Sequence, residues 1–161
     1  MKSRKIIAGV DEVGRGSLIG SVYSAAVILP ANGFSLELRD SKKLTEKSRK
    51  KIANSLVKES VCISIGIATK DEIDSINIHH ATLLSMRRAV YNLNIVPDII
   101  LVDGVYRPEV EMDCECIVQG DSKVEQISAA SIIAKVSRDY EMDFLHDKYK
   151  MYNFKKNKGY G

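Results

Sequence analysis

Proline, cysteine and histidine are scarce in this sequence, at three residues each among 161, and each scarcity removes a class of protein. With so little proline, no low-complexity tract and no strong interdomain linker, the chain is not a disordered one. Long hydrophobic runs are also missing. Lys2, Arg4 and Lys5 precede an apolar stretch that lasts only from Ile6 to Val10 before Asp11 interrupts it, too short for a signal peptide or a membrane span. The expectation is a cytoplasmic protein. Cys62, Cys114 and Cys116 are odd in number, and CEC lacks the paired CxxC spacing of a zinc site, so free buried thiols are expected. His79, His80 and His146 read as ordinary helix residues. There is no internal repeat. What remains is 45% hydrophobic and 28% charged, long enough to bury a core, with residues 1–161 expected to form one domain.

The net charge of +3 is unevenly laid out. Arg39 to Lys58 holds eight Lys/Arg against two acids, and Lys148 to Gly161 holds five Lys against none. From Asp98 to Glu125 the balance reverses to eight acids against two bases. A basic run is usually a solvated helix face. Two of them flanking an acidic middle also fit a polyanion held over carboxylates, since phosphates attract lysines while hard cations attract carboxylates.

Apolar runs at Lys5 to Val10 and Val22 to Leu29 read as strands joined by the GRG turn, the short link favouring an antiparallel pair. Alternation from Val61 to Ile67, the continuous run Ile99 to Val102, and Cys114 to Val118 supply three more strands. Helices are expected over Thr45 to Val57, with Thr45 as N-cap, over His80 to Leu93, and over Lys123 to Tyr149, where Ser122 and Glu125 suggest a capping box. The fold class is therefore α/β, with a mixed five-stranded sheet flanked by helices.

Four acids fall at the ends of these elements: Asp11, Glu12, Asp103 and Asp121. Sites in α/β sheets form beyond the carboxyl ends of strands, so Asp11 and Asp103 stand side by side if their strands are parallel neighbours. Oxygen ligands without histidine or cysteine favour Mg2+ or Mn2+, and Asp121 near a helix N-terminus is helped to stay ionised. Taken singly, each acid is as well explained as a solvent-facing cap. Consecutive strand residues point to opposite faces, so Glu12 is expected to join Asp11 only if the strand bends before Val13. GRGSLIG loosely resembles a dinucleotide loop, but that signature needs a following helix and SVYSAAVIL is strand-like. The glycines around Arg15 still let backbone N–H groups approach a phosphate or sugar.

DEVGRG, DSKKL (40–44), VDG (102–104), GDSK (120–123), ISAASIIAKVSRD (127–139) and KNKGYG (156–161), in this order, resemble the ribonuclease HII family in its bacterial form. The resemblance implies a ribonuclease H-like fold and a metal-dependent endoribonuclease. Such an enzyme hydrolyses the RNA strand of RNA–DNA hybrids and cuts at ribonucleotides embedded in duplex DNA, leaving 3′-hydroxyl and 5′-phosphate ends. It implies Asp11, Glu12, Asp103 and Asp121 as catalytic metal ligands for Mn2+ or Mg2+, in two-metal hydrolysis. Gly14, Arg15 and Gly16 match a ribose-sensing loop that acts with Tyr160 on the 2′-hydroxyl, while Ser41, Lys42 and Lys43 match a phosphate-contacting turn. ISAASIIAKV reads as a small-residue helix face for packing. A monomer acting on a hybrid or a ribonucleotide-containing duplex is expected, away from membranes. The family resemblance also implies a C-terminal tail beyond KGYG, where this sequence ends. Two alternatives stay open: a truncated, non-catalytic hybrid-binding module, and another two-metal nuclease of the superfamily, such as a resolvase or transposase core.

Overall fold

The computed structural model describes residues 3–38 and 41–161; Arg39, and Asp40 of the DSKKL stretch, lie outside the described residues. Strand β1 (Ile7–Val13) turns at GRG into β2 (Val22–Ile28), and the two pair antiparallel from Gly9 opposite Val27 to Val13 opposite Tyr23. Helix α1 (Glu46–Glu59) starts at Thr45, whose hydroxyl accepts the Ser48 N–H. Strand β3 (Cys62–Ala68) follows, antiparallel to β2.

Helix α2 (Lys70–Tyr91) begins ten residues earlier than the sequence predicts. It is two helices joined at Asn77, which adopts φ 69° and accepts the His80 N–H on its side chain, capping the expected second half. The first half, KDEIDSI, is mostly polar and shows no apolar stripe. It is held instead by a capping box between Thr69 and Glu72 and by the Arg88–Glu72 ion pair.

Strands β4 (Ile99–Asp103) and β5 (Asp113–Ile117) complete a mixed sheet of order β3-β2-β1-β4-β5, with β1, β4 and β5 mutually parallel. Then come a one-turn helix α3 (Gly120–Lys123), the long α4 (Glu125–Lys148) and a short α5 (Phe154–Asn157). The predicted capping box at Ser122 does not form. Gln119 at φ 54° starts α3 as a separate turn, Val124 is extended, and the Ser122 hydroxyl donates to the Gln119 carbonyl. Asp121 therefore sits on its own turn rather than at the mouth of the long helix.

Alternation along β1 decides what each face carries. Ala8 and Val10 are fully buried against α2, with Met86, Ala89, Ile100 and Val102. On the other face Gly9 meets the first turn of α4 so closely that a Cβ there would stand 2.1 Å from the Gln126 carbonyl carbon. Ala129, Ala130, Ile132 and Ile133 of α4 pack with Ala25, Val27 and Leu56. Each buried valine, leucine or isoleucine among them is worth about 1.5–3 kcal/mol. Among the described residues no helix is long and apolar enough to cross a membrane.

Candidate active site

The parallel register of β1 and β4 carries Val10 beside Val102, so the next residue of each chain segment, Asp11 and Asp103, is an acid at the same level of the sheet. Asp11 shares the Gly9 face and is buried, at 5% exposure. Helix α3 brings Asp121 to the same place: its N–H approaches Asp103 Oδ1 at 3.3 Å, and its carbonyl accepts the Ser128 hydroxyl of α4. Asp11, Glu12, Asp103 and Asp121 line one open cavity of about 390 Å³ with Ser41, Lys42, Arg49, Ser131 and Lys135.

Glu12 reaches this cavity without the bend expected before Val13. The β1–β2 ladder runs unbroken through Val13, but the pairing with β4 ends at Val10. Beyond that point the edge of β1 is open, and Glu12 and Asp103 both border the Asp11 cavity and a second one on the α2 side, lined by Arg15, His79, Thr82 and Tyr106. The Glu12 N–H donates to Asp11 Oδ1 at 2.8 Å.

Crowded carboxylates at the edge of a core are electrostatically costly, and their proton affinities show it. Burial holds the Asp11 carboxyl well above the usual carboxylate range; the charges of Glu12 and Asp103, and then Asp121, add to this against the Glu12 N–H bond. Glu12 is raised by burial and by Asp103, opposed by a hydrogen bond with Asp11, its own N–H and Arg15. Asp103 is raised by burial and by Asp121, opposed by the N–H groups of Asp121 and Gly120 and by Lys42. The cation that answers this charge directly is Lys42, mostly exposed, with Nζ 3.0 Å from Asp121 Oδ2; that contact raises its own proton affinity.

Among the described residues no three acids, histidines or cysteines converge tightly enough to hold an ion as they stand. Mutual repulsion keeps such groups apart, and Asp121 is turned to Lys42. The donor set nonetheless fits a hard divalent cation: all oxygen and anionic, in an open cavity where Asp11, Glu12, Asp103 and Asp121 face Lys42, Arg49 and Lys135.

Gly14 and Gly16 bracket Arg15 in the turn after β1, with Gly14 at φ +96°. The Arg15 guanidinium lies 6.0 Å from the Tyr106 ring centre. Gly16 stands next to Tyr160, since a Cβ placed on it would be 3.7 Å from the tyrosine Cε1. Ser41, Lys42 and Lys43 form a single 3-10 turn; Ser41 and Lys42 face the carboxylates, whereas Lys43 is exposed outside the cavity lining. Sequence reasoning missed Ser131, Lys135 and Arg138 of α4. Their i, i+4, i+7 spacing makes a polar stripe on a helix otherwise read only as packing surface, and that was the available signal.

The ribonuclease HII family model matches residues 8–161. The chain belongs to the ribonuclease HII family. A ribonuclease HII of Hydrogenovibrio crunogenus is 54% identical over 156 residues, covering 97% of this chain and 75% of that protein. One of Psychromonas ingrahamii is 50% identical over 155 residues, covering 96% and 76%. The crystal structure of ribonuclease H2 from Pyrococcus horikoshii OT3 superposes with a TM-score of 0.83 at 29% identity, covering 96% of this chain and 80% of that one. The sheet order and helices described above are thus a ribonuclease H-like fold, and this member of the family is an endonuclease that hydrolyses phosphodiester bonds.

Proposed function

We propose that residues 1–161 act as one catalytic domain, a divalent-metal-dependent endoribonuclease working as a cytoplasmic monomer. It cuts the RNA strand of RNA–DNA hybrids and cuts at single ribonucleotides embedded in duplex DNA, leaving 3′-hydroxyl and 5′-phosphate ends. The observation that carries this reading is the convergence of Asp11, Glu12, Asp103 and Asp121 on one open cavity, where burial first, and then the charges of the other three, hold the Asp11 carboxyl above the usual carboxylate range.

Asp11, Glu12, Asp103 and Asp121 would hold Mg2+ or Mn2+. When bound, such ions lower the pKa of an attacking water and offset charge on the departing 3′-oxygen. The chain's own groups do the rest. Ser41, Lys42 and Lys43 offer hydroxyl and ammonium donors to the backbone phosphates, and a phosphate at the cavity mouth competes with Asp121 for Lys42. In the turn formed by Gly14, Arg15 and Gly16, the missing side chain of Gly16 lets a sugar approach the backbone, and Tyr160 supplies a ring next to it. A 2′-hydroxyl is the sugar group that separates RNA from DNA, so a close-fitting turn beside the scissile position is the place to read it.

The test is cleavage of a labelled duplex carrying one ribonucleotide, mapped to the nucleotide, without metal and with Mg2+ or Mn2+. The wild type should cut once beside the ribonucleotide and only with metal, and Tyr160→Ala should slow that cut about tenfold or more. Cleavage of all-DNA duplex, or of the hybrid without metal, would refute the reading.

A further inference from the structure

Arg138 is the largest fully buried side chain described, at 0% exposure, yet among the described residues no carboxylate pairs with it within 4.0 Å. Burying a guanidinium without an acid is expensive unless its donors are all aimed at acceptors. They are aimed at two loops. Nε donates to the Ser21 carbonyl at 3.2 Å, and one terminal nitrogen donates to Ser17 Oγ at 2.7 Å and to the Ile19 carbonyl at 2.9 Å. The other donates to the Lys158 carbonyl at 2.8 Å. The first three acceptors follow the GRG turn directly; the last precedes Tyr160 by two residues. The plane lies 5.5 Å from the Tyr160 ring centre, and a Cβ on Gly14 would stand 2.4 Å from Arg138 Nε.

Ser17 completes the joint. Its hydroxyl receives Arg138 and shares its own proton between the Ile19 carbonyl at 2.8 Å and the Gly159 carbonyl at 2.9 Å, while the Leu18 N–H donates to Gly159 at 2.9 Å. More than 140 positions separate the bonded residues of the two loops along the chain. Nothing in either loop is regular structure that could fix their separation.

We infer that Arg138 and Ser17 are positioning residues for ribose recognition: they set the distance between the GRG turn and Tyr160, and thereby the preference for a single embedded ribonucleotide. Neither touches the substrate. This rests on the reading of the GRG turn and Tyr160 given under Proposed function. A lysine cannot replace Arg138, because a single ammonium lacks the planar fork that reaches both loops at once.

The experiment compares kcat/KM on a duplex with one ribonucleotide and on a continuous hybrid, for wild type, Ser17→Ala, Arg138→Lys and Tyr160→Ala, with the Ser17→Ala/Tyr160→Ala double variant. Ser17→Ala removes one atom from a half-buried site, so it keeps the test alive should Arg138→Lys fail to fold. Ser17→Ala and each folded Arg138→Lys preparation should lose about tenfold or more at the single ribonucleotide and less than about threefold on the continuous hybrid. The Ser17→Ala loss should vanish in the Tyr160→Ala background, because both act through one element. A wild type that prefers the single ribonucleotide, with Ser17→Ala losing both activities equally or adding its full loss to that of Tyr160→Ala, overturns the inference alone. A wild type without that preference overturns the reading beneath it and the inference together.

Discussion

Asp11 and Arg138 are charged side chains that the fold keeps almost wholly from water, at 5% and 0% exposure. The Asp11 cost is readable as stability. A raised folded-state pKa means that the folded chain binds this proton more tightly than the unfolded chain does. Stability is therefore lost as pH rises from the ordinary value of 3.8 through the raised folded value. In metal-free buffer near neutrality Asp11→Asn should unfold about 2–4 °C above wild type, the equivalent of about 1 kcal/mol at this length. The amide oxygen can still accept the Glu12 N–H. Added Mn2+ should raise the melting temperature of wild type and leave Asp11→Asn unmoved. A variant that melts below wild type without metal would show that the carboxylate is not a strained group. The pairing of Asp11 with Asp103 was legible from the sequence because strand ends are marked by composition. The Arg138 bonds were not, because nothing local says that a helix residue reaches the Ser21 and Ile19 carbonyls, more than 100 positions away.

At the scale of elements, the site depends on how closely α4 lies on β1. Gly9 permits that approach, and with it the Ser128 hydroxyl reaches the Asp121 carbonyl and fixes α3 over the end of β4. Gly9→Ala should cost roughly 1–3 kcal/mol or more in urea unfolding, since backbone rather than a flexible side-chain end must yield. A loss within experimental error would mean that α4 is not seated as described. The start of α2 carries a second, pH-dependent element. The Arg88 guanidinium beside Glu72, with the Thr69 N–H, holds the Glu72 carboxyl down from 4.5 to about 2. Its contribution is thus present above pH 4.5 and disappears as pH falls through about 2. The gap in melting temperature between wild type and Glu72→Gln should narrow steadily across that window; a gap constant with pH would remove the ion pair from the account. The five strands and the antiparallel pairing of β1 with β2 were readable from apolar runs, alternation and link length. The first half of α2 and the α3–α4 break were not: one is held by caps and an ion pair rather than an apolar stripe, the other by left-handed Gln119.

Across the whole molecule, the two basic stretches distant in sequence come together. The Lys158 charge lowers the Glu46 carboxyl after its bond to Lys50, and Lys50 lies 5.9 Å from the Tyr140 ring centre on α4. The first of them lines the carboxylate cavity, through Lys42 and Arg49. This is the arrangement a polyanion needs if its phosphates are held beside, and its scissile bond over, a cluster of acids. The central claim is that those acids carry metal-dependent cleavage. Its most direct test is single-turnover cleavage of a duplex with one ribonucleotide by wild type, Asp11→Asn and Asp103→Asn, in Mg2+ and in Mn2+. The account predicts a single cut beside the ribonucleotide by wild type and a loss of more than about 100-fold in both variants with their fold intact. Cleavage by either folded variant at near the wild-type rate would contradict it.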